Sequence, residues 1–274
     1  MSRILTVRLL LGKAEGICSP AGLCYCQEEK RLYITDMQHG RVVWCFPESP
    51  RVQEISRKCD EGCLQKPLAI TRMNGQLYIT DAEYNSLFVF KQSVWEKIRW
   101  RYGLQPELRL PGSITGDPFG NLYFTDFLNN KVCKIDAGGR LSVLPTVCKK
   151  PYGIYGSHTC LYITDAGNRR LIAYNYSEKK QRVLLRGSLY PIAVAADAEG
   201  DLYFSENRRI YLYHCRRNLV EILLDRDQWQ RYGFEKLCHV GALALASHNT
   251  LYFSDTVKSG IYEIKIAKEV VSHA

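Results

Sequence analysis

Six acidic side chains, Asp36, Asp81, Asp126, Asp165, Glu206 and Asp255, recur along the 274-residue chain at spacings of 45, 45, 39, 41 and 49 positions. Carboxylates can ligate a metal, move a proton or accept backbone N–H bonds. Each one here closes the same phrase: Leu-Tyr, then Ile or Phe, then Thr or Ser, then the acid. A group copied into every repeat is not one member of an asymmetric catalytic set. Its expected role is to accept N–H bonds at the turn that follows.

Basic residues flank the same turns: Arg41, Lys131, Arg169, Arg170, Arg208, Arg209 and Lys258, with Tyr84, Phe127, Trp229 and Tyr232 in nearby loops. Lys and Arg attract phosphates through Coulomb forces and counterion release. Aromatic rings stack on unpaired bases at about 1–3 kcal/mol each. Without a helix to enter a major groove, this combination suits single-stranded RNA better than duplex DNA.

Conventional catalytic chemistry is sparse. The eleven cysteines lack the paired Cys-x-x-Cys spacing of zinc modules; Cys24-x-Cys26 and Cys59-x3-Cys63 are the close pairs. They read as reduced, apolar thiols of a cytoplasmic protein. A secreted, disulfide-bonded chain is the alternative, helped by the Asn175-Tyr-Ser177 sequon. His239 stands alone, and Ser113 has no evident His and acid partners in sequence. No catalytic residue, metal or cofactor is expected.

About fifteen residues before each acid lies a short apolar stretch, led by Pro20, Pro67, Pro111, Pro151 and Pro191, and by Val240 in the sixth copy. Further β-branched or aromatic runs follow each acid, divided by Gly, Pro, Asn and Asp. Four such runs per repeat predict four antiparallel strands, here a to d. A period near forty residues marks a propeller or a solenoid. Small residues on strand a (Gly22, Ala69, Gly112, Gly153, Ala193 and Gly241) fit sheets converging on one axis. The stretch 226–237 could hold one or two helical turns.

Before the first proline, residues 3–11 form a strand with no blade of its own. It is expected to supply strand d of the sixth blade and to remove the exposed edges of an open ring. The fold class is thus all-β, a single six-bladed propeller of four-stranded antiparallel blades. The expected blades are 20–57, 67–103, 111–146, 151–187, 191–225 and 240–268, the last completed by 3–11. No uncharged apolar stretch approaches the length of a membrane-spanning helix. Residues 3–11 are split by Arg8, and no signal peptide is expected.

The phrases Leu161-Tyr-Ile-Thr-Asp-Ala-Gly-Asn-Arg-Arg-Leu171 and Leu32-Tyr-Ile-Thr-Asp36, each behind a proline-Gly/Ala-Leu/Ile segment, resemble NHL repeats. The resemblance spans nearly the whole chain. The Tyr-x-Thr-Asp core is also similar to extracellular lipoprotein-receptor propellers, whose Trp at x is Ile or Phe here. Glu206 and the shortened turn Asn207-Arg208-Arg209 depart from the pattern.

Strand topology sorts the +9 formal charge. Cations cluster on the face formed by the b–c turns and d–a loops, whereas the opposite face is nearly balanced. RNA binding on the basic face is also what the resemblance to tripartite-motif and related NHL proteins implies. The expectation is a non-enzymatic, monomeric recognition module binding single-stranded RNA through the seven cations and four aromatics named above. The competing reading is a platform for an acidic protein surface or a ubiquitination substrate; a receptor-type propeller and a lactonase- or lyase-like enzyme rank behind it. The expected axial entrance positions, Ala21-Gly22, Leu68-Ala69, Gly112-Ser113, Tyr152-Gly153, Ile192-Ala193 and Gly241-Ala242, carry nothing that ionises at neutral pH.

Overall fold

A computed structural model describes residues 3–60, 62–100, 102–103, 107–187, 190–247 and 249–267. Arg101, which the sequence assigns to a d–a loop of the basic face, and Lys268, the expected end of blade six, lie outside the described residues.

Six antiparallel sheets surround a common axis. Blade one shows the pattern, with strand a at Pro20–Cys26, b at Arg31–Asp36, c at Arg41–Phe46 and d at Ser49–Glu54. Strand b is buried on both faces, so its apolar run is continuous rather than alternating. Leu32 and Ile34 pack towards blade six, with Ala242, Ala244 and Tyr252, whereas Tyr33 packs towards blade two, with Ile70, Ile79 and Phe88. The core is therefore six wedges between neighbouring blades. Blade three carries an extra two-residue strand, Tyr102–Gly103, parallel to Arg140–Val143.

Arg3–Leu11 pairs antiparallel with Gly260–Ala267 and closes the ring as strand d of blade six. Arg8 anchors it. Its Nε lies 2.8 Å from Oε1 of Glu263, and its Nη2 donates to the Pro47 carbonyl at 3.0 Å, tying blade six to blade one. The Tyr232 hydroxyl donates to the Ile4 carbonyl at 3.0 Å. Burial opposes the charge on Glu263, but the Arg8 hydrogen bond and charge outweigh it and hold the carboxyl below the usual range. A depressed carboxyl contributes stability that is complete above its unfolded value and is lost as pH falls through the folded one. The melting temperature should therefore fall between about pH 5 and about pH 3 more steeply in the wild type than in Glu263→Gln. Equal slopes in calorimetry would remove this pair from the acid response.

The short helix Arg226–Arg231 fulfils the expectation of a helical turn. Asp225 accepts from the Gln228 N–H at 3.0 Å, and the Gln228 side chain accepts from the Asp225 N–H at 2.8 Å, a reciprocal cap. The helix inserts Trp229 among Phe234, Phe253 and Tyr262.

Candidate functional site

The repeat acids are structural. Asp81 is fully buried and accepts four backbone N–H bonds: from Gln65 and Lys66 in the entering d–a loop (2.9 and 3.1 Å), and from Glu83 and Tyr84 in the b–c turn (3.0 and 3.2 Å). Asp255 repeats this with Cys238, His239, Val257 and Lys258. The turn half of this role follows from sequence. The loop half does not, because its donors lie sixteen or so residues upstream and bear no common side chain.

The residue before each acid forms a second ring of bonds. The Oγ of Thr35, Thr80, Thr125, Thr164, Ser205 and Ser254 accepts the N–H of Gly22, Ala69, Ser113, Gly153, Ala193 and Ala242. Four of the threonines also donate to strand a of the next blade, at the carbonyls of Leu68, Gly112, Tyr152 and Ile192, over 2.8–3.0 Å. Ser205 does the same to Val240 at 3.1 Å. In blades three and six the equivalent strand-a position is thus Ser113 and Ala242, one residue beyond the expected Gly112 and Gly241.

Two of the seven proposed cation contacts are committed within the fold. Arg41 bonds Asp36 and Glu54 at 2.9 Å each and the Gly16 carbonyl. Arg170 bonds Asp165 and the Val147 carbonyl, both at 2.6 Å. Lys131, Arg169, Arg208, Arg209 and Lys258 are exposed on their turns, and Arg209 lies 3.5 Å from the Tyr211 hydroxyl. The aromatic set does not form a stacking surface. Trp229 is 1% exposed in the core, Tyr232 braces the closing strand, and Phe127 packs edge-on against Tyr152; Tyr84 is exposed.

An axial channel, a cavity of about 220 Å³, is lined by strand a of all six blades, including every expected entrance position. Hydrogen-bond register and alternation along the strands place two tiers on its wall. The first tier is Gly22, Ala69, Ser113, Gly153, Ala193 and Ala242. The second, two residues further in, is Cys24, Thr71, Thr115, Tyr155, Ala195 and Ala244. The intervening Leu23, Ile70, Ile114, Ile154, Val194 and Leu243 belong to the wedges between blades. Counting two residues onward from the small position would have found the second tier in the sequence.

Cys24 is tied by the Arg72 N–H, and Thr115 accepts the Gly156 N–H at 3.0 Å. The hydroxyls of Thr71, Ser113, Tyr152 and Tyr155 have no hydrogen-bond partner among the described residues. Burial pushes the Cys24 thiol up to about 11 and raises Tyr152 and Tyr155, so the wall is uncharged at neutral pH. At the head of the sixth strand a, burial outweighs the pull of Asp255 and lowers the pKa of His239, leaving a neutral imidazole. All eleven cysteines are free thiols. Among the described residues no group of three or more His, Cys, Asp or Glu could hold a metal.

Among solved structures, the chain is similar to a gluconolactonase from Xanthomonas campestris: 12% identity, 95% of this chain and 89% of that one covered, TM-score 0.76. It is also similar to a catalytically inactive virginiamycin B lyase from Staphylococcus aureus, at 15% identity, 95% and 99% coverage and TM-score 0.67. A chain of the nidogen/laminin complex aligns at 20% identity, 83% and 86% coverage and TM-score 0.69. At such identities the likeness shows the fold, a six-bladed β-propeller. No family model and no curated protein matches the chain.

The expectation of a non-enzymatic module binding RNA or an acidic protein on the basic face is therefore corrected. Enzymes share this architecture across nearly the whole chain. Arg41, Arg170, Trp229 and Tyr232 are also engaged in holding the propeller together.

Proposed function

We propose that this protein works through its axial channel, binding and acting on a small uncharged molecule. The observation that carries this reading is a neutral cavity lined by four hydroxyl-bearing residues, Thr71, Ser113, Tyr152 and Tyr155, whose hydroxyls have no hydrogen-bond partner among the described residues. Such a wall suits a neutral ligand, because a charge carried into it would lose hydration and meet no ionised side chain among the lining residues. The lactonase and lyase built on the same fold support turnover rather than capture alone. The NHL-type reading of the repeats rests on their Leu-Tyr-x-Thr-Asp phrase and its proline lead. The eleven free thiols support a reducing compartment such as the cytoplasm.

The test is a panel of uncharged lactones and cyclic esters, followed by melting temperature and by product formation. Ser113→Phe fills the channel at a position that faces it. At least one compound should raise the melting temperature of the wild type and not of Ser113→Phe. A folded Ser113→Phe variant with an unchanged ligand response would place the site elsewhere.

A further inference from the structure

The channel wall is divided by chemistry, and the division follows blade number. In the second tier blades one to four present a thiol and three hydroxyls: Cys24, Thr71, Thr115 and Tyr155. Blades five and six present only the methyl groups of Ala195 and Ala244. The first tier adds Ser113 on blade three, against Ala193 and Ala242 on blades five and six. Tyr152 adds a phenol on blade four, against Ile192 and Gly241. Every other channel-lining residue contributed by the last two blades (Val194, Leu243 and Leu245) is also apolar.

Packing reinforces the contrast. Cys24 and Thr115 use polar capacity to hold neighbouring blades, whereas Thr71, Ser113, Tyr152 and Tyr155 retain theirs. The ring of Tyr155 packs against the clusters that contain Ala195 and Val194, so this phenol sits at the seam between the two walls. Bonds between blades account for Cys24 and Thr115 but not for Thr71, Ser113, Tyr152 and Tyr155 on the same side of the axis.

On the reading that the channel is the functional site, we infer that its ligand is an uncharged ring compound with a hydroxyl- or carbonyl-bearing edge and an opposite hydrocarbon edge. The polar edge meets Thr71, Ser113, Tyr152 and Tyr155 on blades two to four. The hydrocarbon edge lies on Ile192, Ala193, Ala195 and Ala242. A molecule polar all round would strand its groups against blades five and six. One apolar all round would leave the four hydroxyls dry and unpaired. The cavity exceeds the roughly 150 Å³ that houses benzene in an engineered protein core, so a substituted single ring fits.

Four probes separate these cases by ligand-observed NMR titration of the full chain: phenol, benzoate, toluene and glucose. Phenol should bind more tightly than benzoate, toluene or glucose. The double variant Thr71→Val/Tyr155→Phe should weaken phenol about tenfold and leave toluene unchanged or improved. Ala195→Ser should narrow the gap between phenol and glucose. Equal binding of phenol and benzoate, or a double variant that folds and binds phenol as the wild type does, overturns the two-sided ligand. A phenol signal that survives in a folded Ser113→Phe variant rejects the channel as the site. Loss of binding there with no discrimination among the probes rejects the ligand class alone.

Discussion

Replacing Asp81 with alanine is expected to cost about 3–5 kcal/mol of stability and about 10 °C in melting temperature. Its carboxylate is fully buried and accepts four backbone N–H groups from two separate segments. Stranding a buried donor costs about 1–3 kcal/mol, and some of the four regain water because the turn lies near the surface. Asp81→Asn keeps one acceptor oxygen but faces an amide NH₂ towards donors, so it should lose roughly half as much. Asp136→Ala is the control, since Asp136 caps an outer turn through Gly138 and Arg140 and should cost about 1 kcal/mol. Chemical denaturation decides the matter. A cost for Asp81→Ala no larger than for Asp136→Ala would show that the repeat acid does not bind loop to turn.

The second large effect is expected at Gly153. A β-carbon there would overlap the Ile192 carbonyl oxygen and crowd the Ala193 Cα at 3.1 Å, both on the next inner strand. Gly153→Val should therefore destabilise by about 3 kcal/mol or more, because neither atom can retreat without breaking the Thr164 bridge. At Gly22 the same clash is with the Leu68 carbonyl oxygen at 2.6 Å. Gly187→Ala, where nothing lies within 4 Å of the added carbon, should be neutral. If Gly153→Val and Gly187→Ala melt together, the tight approach of the inner strands is not real.

These two positions mark what sequence could and could not deliver. The Leu-Tyr-x-Thr-Asp phrase and its spacing disclosed the propeller, and the orphan strand Arg3–Leu11 disclosed how it closes. Small residues on strand a were also legible, but their cause was only half seen. They yield to the backbone of the neighbouring strand as much as to the axis. A bulge after Pro20, Pro67, Pro111 and Pro151 also sets which residue faces inward. In blade three that residue is Ser113, not the adjacent Gly112; the pair was expected at the axial entrance, but which of the two occupies the Gly153-equivalent position depends on the bulge.

Charge misled for a related reason. Sorting Lys and Arg by turn places them on one face but does not disclose partners distant in sequence. Arg41 meets Glu54 on strand d, and Arg170 meets the Val147 carbonyl in a loop that enters its blade. Trp229 looked like an exposed loop aromatic until Asp225 and Gln228 are read as a helix cap that aims it inward. The polarity split of the channel is invisible to any tally of composition. It needs the register of all six inner strands at once.

The axial site is tested most directly by methyl NMR of Ala- and Thr-labelled protein during phenol titration. Saturable shifts are predicted at Ala69, Thr71, Ala193 and Ala195, whose methyls line the channel. Shifts confined to Ala82 and Ala166 in the b–c turns, with the channel methyls unmoved, would contradict it.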